Sequence, residues 1–458
     1  MARLFPTVNL FLLQVCVKGA RMRMVKKLKT LISKALPGVV RIYGRIRMFV
    51  YPLYACPVQF FINRKISNLS KKSTVKVAFL VAFDTCFHFR KLFDRMLMDS
   101  AFDPWLIIIP VMNHGEENMN KFCVQTYDYF TKIYCERVLK PWDGLKFTDV
   151  ANSYDLFILL NSYDGLTHSY YGIKHLALKG KPVILSNYGY DAGSKYADTY
   201  CAMRELGLLW RYYAGTPWLK RLLDRHQISL RLYNRVVISG VPKMDTMAEC
   251  VKRLTRKKRV LLCPHHSIKG CKVISLSNFI EYKDLFLKLP TMYPDIDWVF
   301  RPHPLLSSAL CEYAGWSMDA WNNWVCDFCA SPNASYIPGG DCFDLFVNSD
   351  AMIQDCSSFL AEYHCTGHPQ CYLLKSKEQI EEQFMDWGQE LLSYAYQAFT
   401  QKEIIHFIDD VVVSGNDVMA EIRKKFVNEK MLYNYPHVNK WILDDIKKGI
   451  WGKNGVAE

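Results

Sequence analysis

The sequence predicts an α/β protein built from two doubly wound parallel-sheet halves facing a cleft, with a basic helical arm in front. Three observations carry that expectation. Short apolar runs typical of strands buried on both faces recur along the chain, helical patterns separate them, and a Gly-x-Pro break near residue 240 divides them into two series. A chain of 458 residues is also too long for one ordinary core.

Residues 1–72 form the arm. They hold fifteen Lys or Arg and no Asp or Glu, so of the net charge of +14 the remaining chain keeps −1. Bulky apolar residues such as Phe5, Leu12, Phe49, Phe60 and Phe61 interleave with this charge. The longest charge-free runs, Leu4 to Val17 and Met48 to Asn63, are 14 and 16 residues long. Both fall short of the roughly 20 residues that span a bilayer. The expectation is an arm lying on an anionic membrane surface at the inner face of the cytoplasmic membrane. Two alternatives stay open: Leu4 to Val17 as a signal peptide's apolar region, and packing of part of the arm on the body. The residues that follow, Lys18-Gly19-Ala20-Arg21, make a poor cleavage site. A neutral body and an arm without a recognition motif argue against nucleic acid. Sixteen scattered cysteines read as reduced thiols of a cytoplasmic protein, and Cys326 and Cys329 form a lone C-x-x-C with no second pair.

The first half is expected over 73–245. Val75 to Phe83, Trp105 to Pro110, Tyr154 to Leu160 and Pro182 to Ser186 read as strands. A helical pattern through Phe87, Leu92, Phe93 and Met96 and another over Tyr171 to Leu178 lie between them. A strand ends at Val236 to Ser239, and a charged helix is expected over Met247 to Lys258. The second half, 246–400, begins with the strand Arg259 to Cys263, passes a helix near Asp284 to Leu289 and reaches the strand Trp298 to Phe300. It then runs through Phe343 to Val347 into a buried strand, Ala351 to Gln354, a polar turn, a helix over Phe359 to Cys365, a Gly-His-Pro break and another strand. Residues from Trp387 onward, and 401–458 in particular, read as helices that cross back to the first half.

Three loops of the second half each follow a strand: Pro264-His265-His266-Ser267, Arg301-Pro302-His303-Pro304 and Asp355-Cys356-Ser357-Ser358. Ligands of such sheets sit beyond the carboxyl ends of the strands. Arg301 offers a fixed cation, the three histidines offer donors, and Ser357 and Ser358 start a helix whose free N–H groups suit a phosphate. Glu362, two turns further on, lies on a face suited to a ribose hydroxyl pair. Together these loops describe a nucleotide diphosphate pocket. Taken singly, the serines read equally well as helix caps and each histidine as an ordinary loop residue. No Walker-type or G-x-G-x-x-G loop is present to compete.

Four blocks resemble the CDP-glycerol glycerophosphotransferases of teichoic-acid and capsule assembly. They are Ser239 to Asp245 (S-G-V-P-K-M-D), Val260 to His266, Arg301 to Pro304 (R-P-H-P), and Ser349 to Ser358 followed by Gly367-His368-Pro369. The resemblance covers about 236–374 and implies a GT-B-like, membrane-peripheral enzyme. Such an enzyme moves a polyol phosphate from a CDP-activated donor to a lipid-linked acceptor and releases CMP. It implies no cofactor and no metal. By the same resemblance His303 acts on the phosphate or leaving group beside Arg301, and Ser357 and Ser358 hold phosphate oxygens. His265, His266, Ser267, Asp355 and Glu362 complete the donor site. The family's His-Gly-Thr-Pro block falls where this chain reads Asn187-Tyr188-Gly189-Tyr190-Asp191, with Tyr188 at the histidine position. Tyrosine, with an ordinary pKa of about 10, is a poor base at neutral pH, so Tyr188, Asp191, His175 or another residue is left as the acceptor-side candidate. The D-C-S-S…E pattern from Asp355 to Glu362 is also similar to the D-S-G-G…E loop of UDP-sugar 2-epimerases, which keeps a sugar-nucleotide enzyme as the alternative.

Overall fold

The computed structural model describes residues 54–112, 115–160, 165–193, 195–254, 257–268, 275–340 and 342–452. The chain separates into two compact units, 1–57 and 58–458. Of the first unit, residues 54–57 are described, as part of a helix that runs to residue 69. The membrane-surface expectation for residues 1–53 therefore lies outside the described residues. Among the described residues no helix is long and apolar enough to cross a membrane.

Within the second unit, residues 58–69 pack on the body, one of the alternatives the sequence left open. Val58, Gln59, Ile62, Ile66 and Leu69 are buried, and the Gln59 amide donates to the carbonyls of Gly207 and Leu209 at 2.9 and 2.8 Å. A buried amide needs such partners to offset the water it gives up.

The first sheet contains β1 (Val75–Val81), β2 (Phe102–Ile108), β3 (Val138–Leu139), β4 (Leu156–Leu159), β5 (Val183–Ser186), β6 (Arg211–Ala214) and β7 (Val236–Ile238). All neighbours are parallel, in the order β3-β2-β1-β4-β5-β6-β7. The second contains β8 (Lys258–Cys263), β9 (Ile296–Phe300), β10 (Ala334–Tyr336), β11 (Ala351–Gln354), β12 (Gln370–Leu373) and β13 (Tyr396–Ala398). It too is parallel throughout, in the order β10-β9-β8-β11-β12-β13. The apolar runs explain this. β4, β5, β11 and β12 are buried at every residue, which requires helices on both faces and hence parallel crossover connections.

In each sheet the chain works outward on one side and then crosses to the other, so the strand order reverses between β1 and β4 and again between β8 and β11. The loops after those strands border a crevice at the carboxyl edge. An aromatic cluster under the second sheet holds one of these edges. The Phe279 and Phe300 rings lie 5.0 and 4.8 Å from that of Trp324, fixing the end of β9 just before Arg301.

Several expectations are corrected. Met247 to Lys258 is not a helix. The helix there is Met244–Met247, because the Asp245 carboxylate is taken by the backbone N–H groups of Val438 and Asn439 and Lys258 is drawn into β8. Phe343–Val347, given no type from sequence, is a short helix leading into β11. The strands β3, β6, β10 and β13 were not anticipated; each has two to four residues, too few to show a period. The last helix, Val438–Trp451, does return to the first half. Asp445 accepts from Arg211 and Tyr213 at 3.1 and 2.9 Å, and Lys447 pairs with Asp99 at 2.9 Å.

Candidate functional site

The reversal between β8 and β11 brings together the three loops picked out from sequence. The rings of His265, His266 and His303 lie within 4.1 to 5.2 Å of one another, centroid to centroid. The backbone N–H of His303 donates to the Pro264 carbonyl at 3.0 Å, which ties the loop after β9 to the loop after β8.

Burial keeps all three rings neutral. It holds His265 down to about 3, with the charges His266 and His303 would carry adding to the effect, and His303 down to about 4, with His266 and Arg301 adding to it. Burial alone lowers His266. By count and spacing the three could hold a metal ion, since one nitrogen of each lies within 4.8 Å of the others. The hydrogen bonds of His265 and His303 favour an anion instead, while the buried Nδ1 of His266 has no partner among the described residues. His265 Nδ1 accepts the Ser267 N–H at 3.1 Å and lies 2.7 Å from Ser267 Oγ. That Oγ accepts from Leu276 N–H at 3.1 Å, leaving its own proton for the ring. His303 Nδ1 accepts from Leu305 N–H at 3.1 Å. Assigned from these bonds, the neutral tautomer of both rings carries its proton on Nε2. A metal needs lone pairs, whereas these rings have N–H groups to give, and phosphate oxygens accept them.

Arg301, 6% exposed, donates from Nη2 to the Gly340 carbonyl at 2.8 Å, and its buried Nε has no partner among the described residues. Asp355 is fully buried. One carboxylate oxygen accepts His265 N–H at 2.6 Å and the other accepts the backbone and side-chain N–H groups of Asn278 at 2.5 and 3.3 Å. It braces the loop that carries His265 and does not face the crevice. Burial raises its carboxyl to about 6 against those bonds. The helix after β11 is Ser357–His364. Its N-cap is Cys356, so the serines lie in the first turn and are not caps. Ser357 is half-buried and Ser358 exposed.

Glu362 is 1% exposed, and its Oε1 pairs with Lys243 Nζ at 2.6 Å. Lys243 belongs to the Ser239–Asp245 block after β7, so this ion pair joins the loop after the first sheet to the helix of the second. Burial opposes the ammonium charge, but Glu362 and Tyr188 hold Lys243 above its ordinary value. The ammonium lies 4.1 Å from the Tyr188 ring centroid, a cation–π contact. Gly189 is needed here for its size: a Cβ would strike Glu362 Oε1 and lie 3.0 Å from Lys243 Nζ.

Tyr188 is 46% exposed, and its hydroxyl donates to the Thr85 carbonyl at 3.2 Å. Lys243 pulls its phenol down, but burial, Cys86 and Glu362 push it up to about 12, which removes it as a base. Asp191 accepts Gly193 N–H at 2.9 Å, and burial raises it to about 6. Its carbonyl accepts from Trp387 Nε1 at 2.9 Å, so it binds the second half's helix Asp386–Ser393 to this loop. His175 is occupied by Asp149 at 2.9 Å. Sequence reading missed two residues at this edge, the role of Lys243 and His88. His88 follows β1 inside an aromatic run, and only the topology places it beside Tyr188, at 5.9 Å between ring centroids.

No protein-family model matches the chain, and no curated protein matches it. Solved structures do. The wall teichoic acid polymerase TagF superposes with a TM-score of 0.53 at 13% identity, over 88% of this chain and 98% of that one. The architecture is GT-B-like. MnaA of S. aureus, solved with UDP, gives 0.52 at 13% identity over 84% and 98%. The UDP-GlcNAc 2-epimerase of Neisseria meningitidis bound to UDP-GlcNAc gives 0.52 at 14% identity over 81% and 100%. At such identities the likeness is one of fold.

Proposed function

We propose that the chain transfers glycerol phosphate, or a related polyol phosphate, from a CDP-linked donor to a membrane-linked glycan or polymer, releasing CMP, in teichoic-acid-like or capsule assembly. The observation that supports this reading is the cluster at the β8/β11 reversal, where His265, His266 and His303 pack together and the His265 N–H bonds Asp355, two residues before the helix Ser357–His364. The donor's diphosphate lies against these groups, with Ser267, Ser357 and Ser358 within the same loops. Glu362 takes the ribose hydroxyls once Lys243 is drawn off by phosphate. A hydroxyl of the acceptor attacks the β-phosphorus, and CMP leaves with the electron pair of the broken P–O bond. Neutral N–H donors and one guanidinium meet the charge that develops on the phosphate oxygens, so positioning and electrostatics carry the rate. TagF, one of the fold neighbours, was solved after a soak with CDPG, and the R-P-H-P and S-D…D-C-S-S blocks support the same donor class.

The basic arm supports action at an anionic membrane surface. A second reading, a sugar-nucleotide enzyme of the 2-epimerase kind, is favoured by the neighbours solved with UDP and UDP-GlcNAc. Incubation with CDP-glycerol, CDP-ribitol and a panel of UDP- and CMP-sugars separates the two. CMP release from a CDP-polyol is expected. UDP or UMP release, or epimerised UDP-GlcNAc with no CMP, rejects the polyol reading.

A further inference from the structure

The first sheet reverses its strand order between β1 and β4, as the second does between β8 and β11. The loop after β1 therefore borders a crevice equivalent to the one lined by His265 and His266. That loop, residues 82–89, contains His88, which is 4% exposed. Its Nδ1 lies 3.2 Å from the Cys86 carbonyl. A carbonyl only accepts, so Nδ1 carries the proton and Nε2 presents a lone pair. That tautomer is opposite to the one assigned to His265 and His303.

Nε2 is buried and has no hydrogen-bond partner among the described residues. Leaving such an atom unsatisfied is unfavourable, and it is left so at the carboxyl edge of a parallel sheet, where ligands bind. The ring packs on Phe89 at 4.6 Å and meets Tyr188 edge-on. Tyr188 is nearly half exposed, so the imidazole is one side chain away from solvent. Burial, opposed by the Cys86 carbonyl and reinforced by Lys243, holds His88 down to about 3, so the lone pair is present at any physiological pH.

We propose that His88 is the proton acceptor of the first half: its Nε2 receives the proton of the acceptor hydroxyl as that oxygen bonds to phosphorus. This rests on the polyol-phosphate reading for the identity of the electrophile. The balance is complete. The acceptor O–H breaks, an O–P bond forms, the P–O bond to CMP breaks with its electron pair, and the proton resides on His88 until it passes to CMP or water. The acceptor reaches Nε2 by displacing the Tyr188 ring, and the phosphate charge it brings raises the basicity of the imidazole.

The test uses the full chain with ¹⁵N-labelled histidine, titrated separately with sn-glycerol 3-phosphate and with CMP while the ring nitrogens are followed by NMR. Glycerol 3-phosphate should move the His88 Nε2 resonance, and CMP those of His265 and His303. His88→Asn retains an amide N–H for the Cys86 carbonyl but has no nitrogen at the Nε2 position. It should bind CMP within twofold of the parent and transfer from CDP-glycerol about 100-fold more slowly or worse. Full transfer by His88→Asn assigns the ring a merely structural role and overturns the inference. So does a titration in which CMP binds and glycerol 3-phosphate leaves His88 unmoved, although the donor reading then stands. A shift of His88 with no CMP binding and no use of CDP-glycerol rejects the donor reading and retains His88 as a hydroxyl site. Silence from both ligands overturns both.

Discussion

The edges of the two sheets share a topology and differ in chemistry. Beyond β8, β9 and β11 the chain gathers three neutral imidazoles and a guanidinium, two of the rings with Nδ1 already occupied and an N–H to offer. Beyond β1 and β5 it places aromatic side chains around the imidazole of His88, of the opposite tautomer, with Lys243 neutralised by Glu362. One fold can thus make a surface that accommodates negative charge and another that accepts a proton. What separates them is whether a backbone N–H or a backbone carbonyl engages Nδ1. A backbone N–H on Nδ1 leaves a donor at Nε2, whereas a carbonyl on Nδ1 leaves a base.

The comparison breaks most visibly in the second half. His303→Ala should lower nucleotide release by about 100- to 1000-fold, since it removes a donor from a water-poor anion site; steady-state CMP release measures it. Next comes the seam between the halves. Glu362→Ala leaves Lys243 buried without its counter-ion and should cost about 3–5 kcal/mol in denaturant titrations, while adding Lys243→Met should recover much of that loss. Gly193→Ala should cost about 1–3 kcal/mol. Its φ is +66°, and a Cβ there would run into the backbone of Gly388 in the second half.

Acid should affect the two edges alike, through different rings. His265, His303 and His88 have folded values below the ordinary 6.5, so the unfolded chain binds their protons first and stability falls as pH drops from 6.5 toward 4. Asp355 and Asp191 work the other way. Their folded values near 6 add stability that is complete below their ordinary 3.8 and is lost as pH rises through 6. Replacing His265 by Gln should flatten the acid limb of a profile of unfolding free energy against pH, by about 2 kcal/mol at pH 5 in denaturant titrations. The smallest effect is expected for Tyr188→Phe, which keeps the ring under Lys243. Transfer should change less than about threefold, because a phenol pushed up to about 12 was never the base.

Much of the second half was legible in the sequence because its signals are local. Buried strands announce themselves as apolar runs, and Pro-flanked histidines or serines directly after such runs can only lie at the carboxyl edge. The convergence of His265, His266 and His303 followed from strand order alone. What failed to show was whatever depends on a distant partner. Asp355 reads as a ligand residue until Asn278, 77 positions away, takes its carboxylate. Glu362 reads as available until Lys243 closes on it. His88 has no flanking motif, and it gains meaning only when β1 and β5 bring it to Tyr188. The expected helix over Met247 to Lys258 failed for the same reason, since Asp245, just before it, is tied to Val438 and Asn439, almost two hundred residues later.

That late helix bears on how the protein is made. Val438–Trp451 is held by Asp245, Arg211, Tyr213 and Asp99, all in the first half. The first half is synthesised first, yet part of its surface is completed by residues translated after the whole of the second sheet. It therefore cannot finish folding until residues 438–451 have been made, and a stop codon shortly before residue 438 would impair the half that had already emerged.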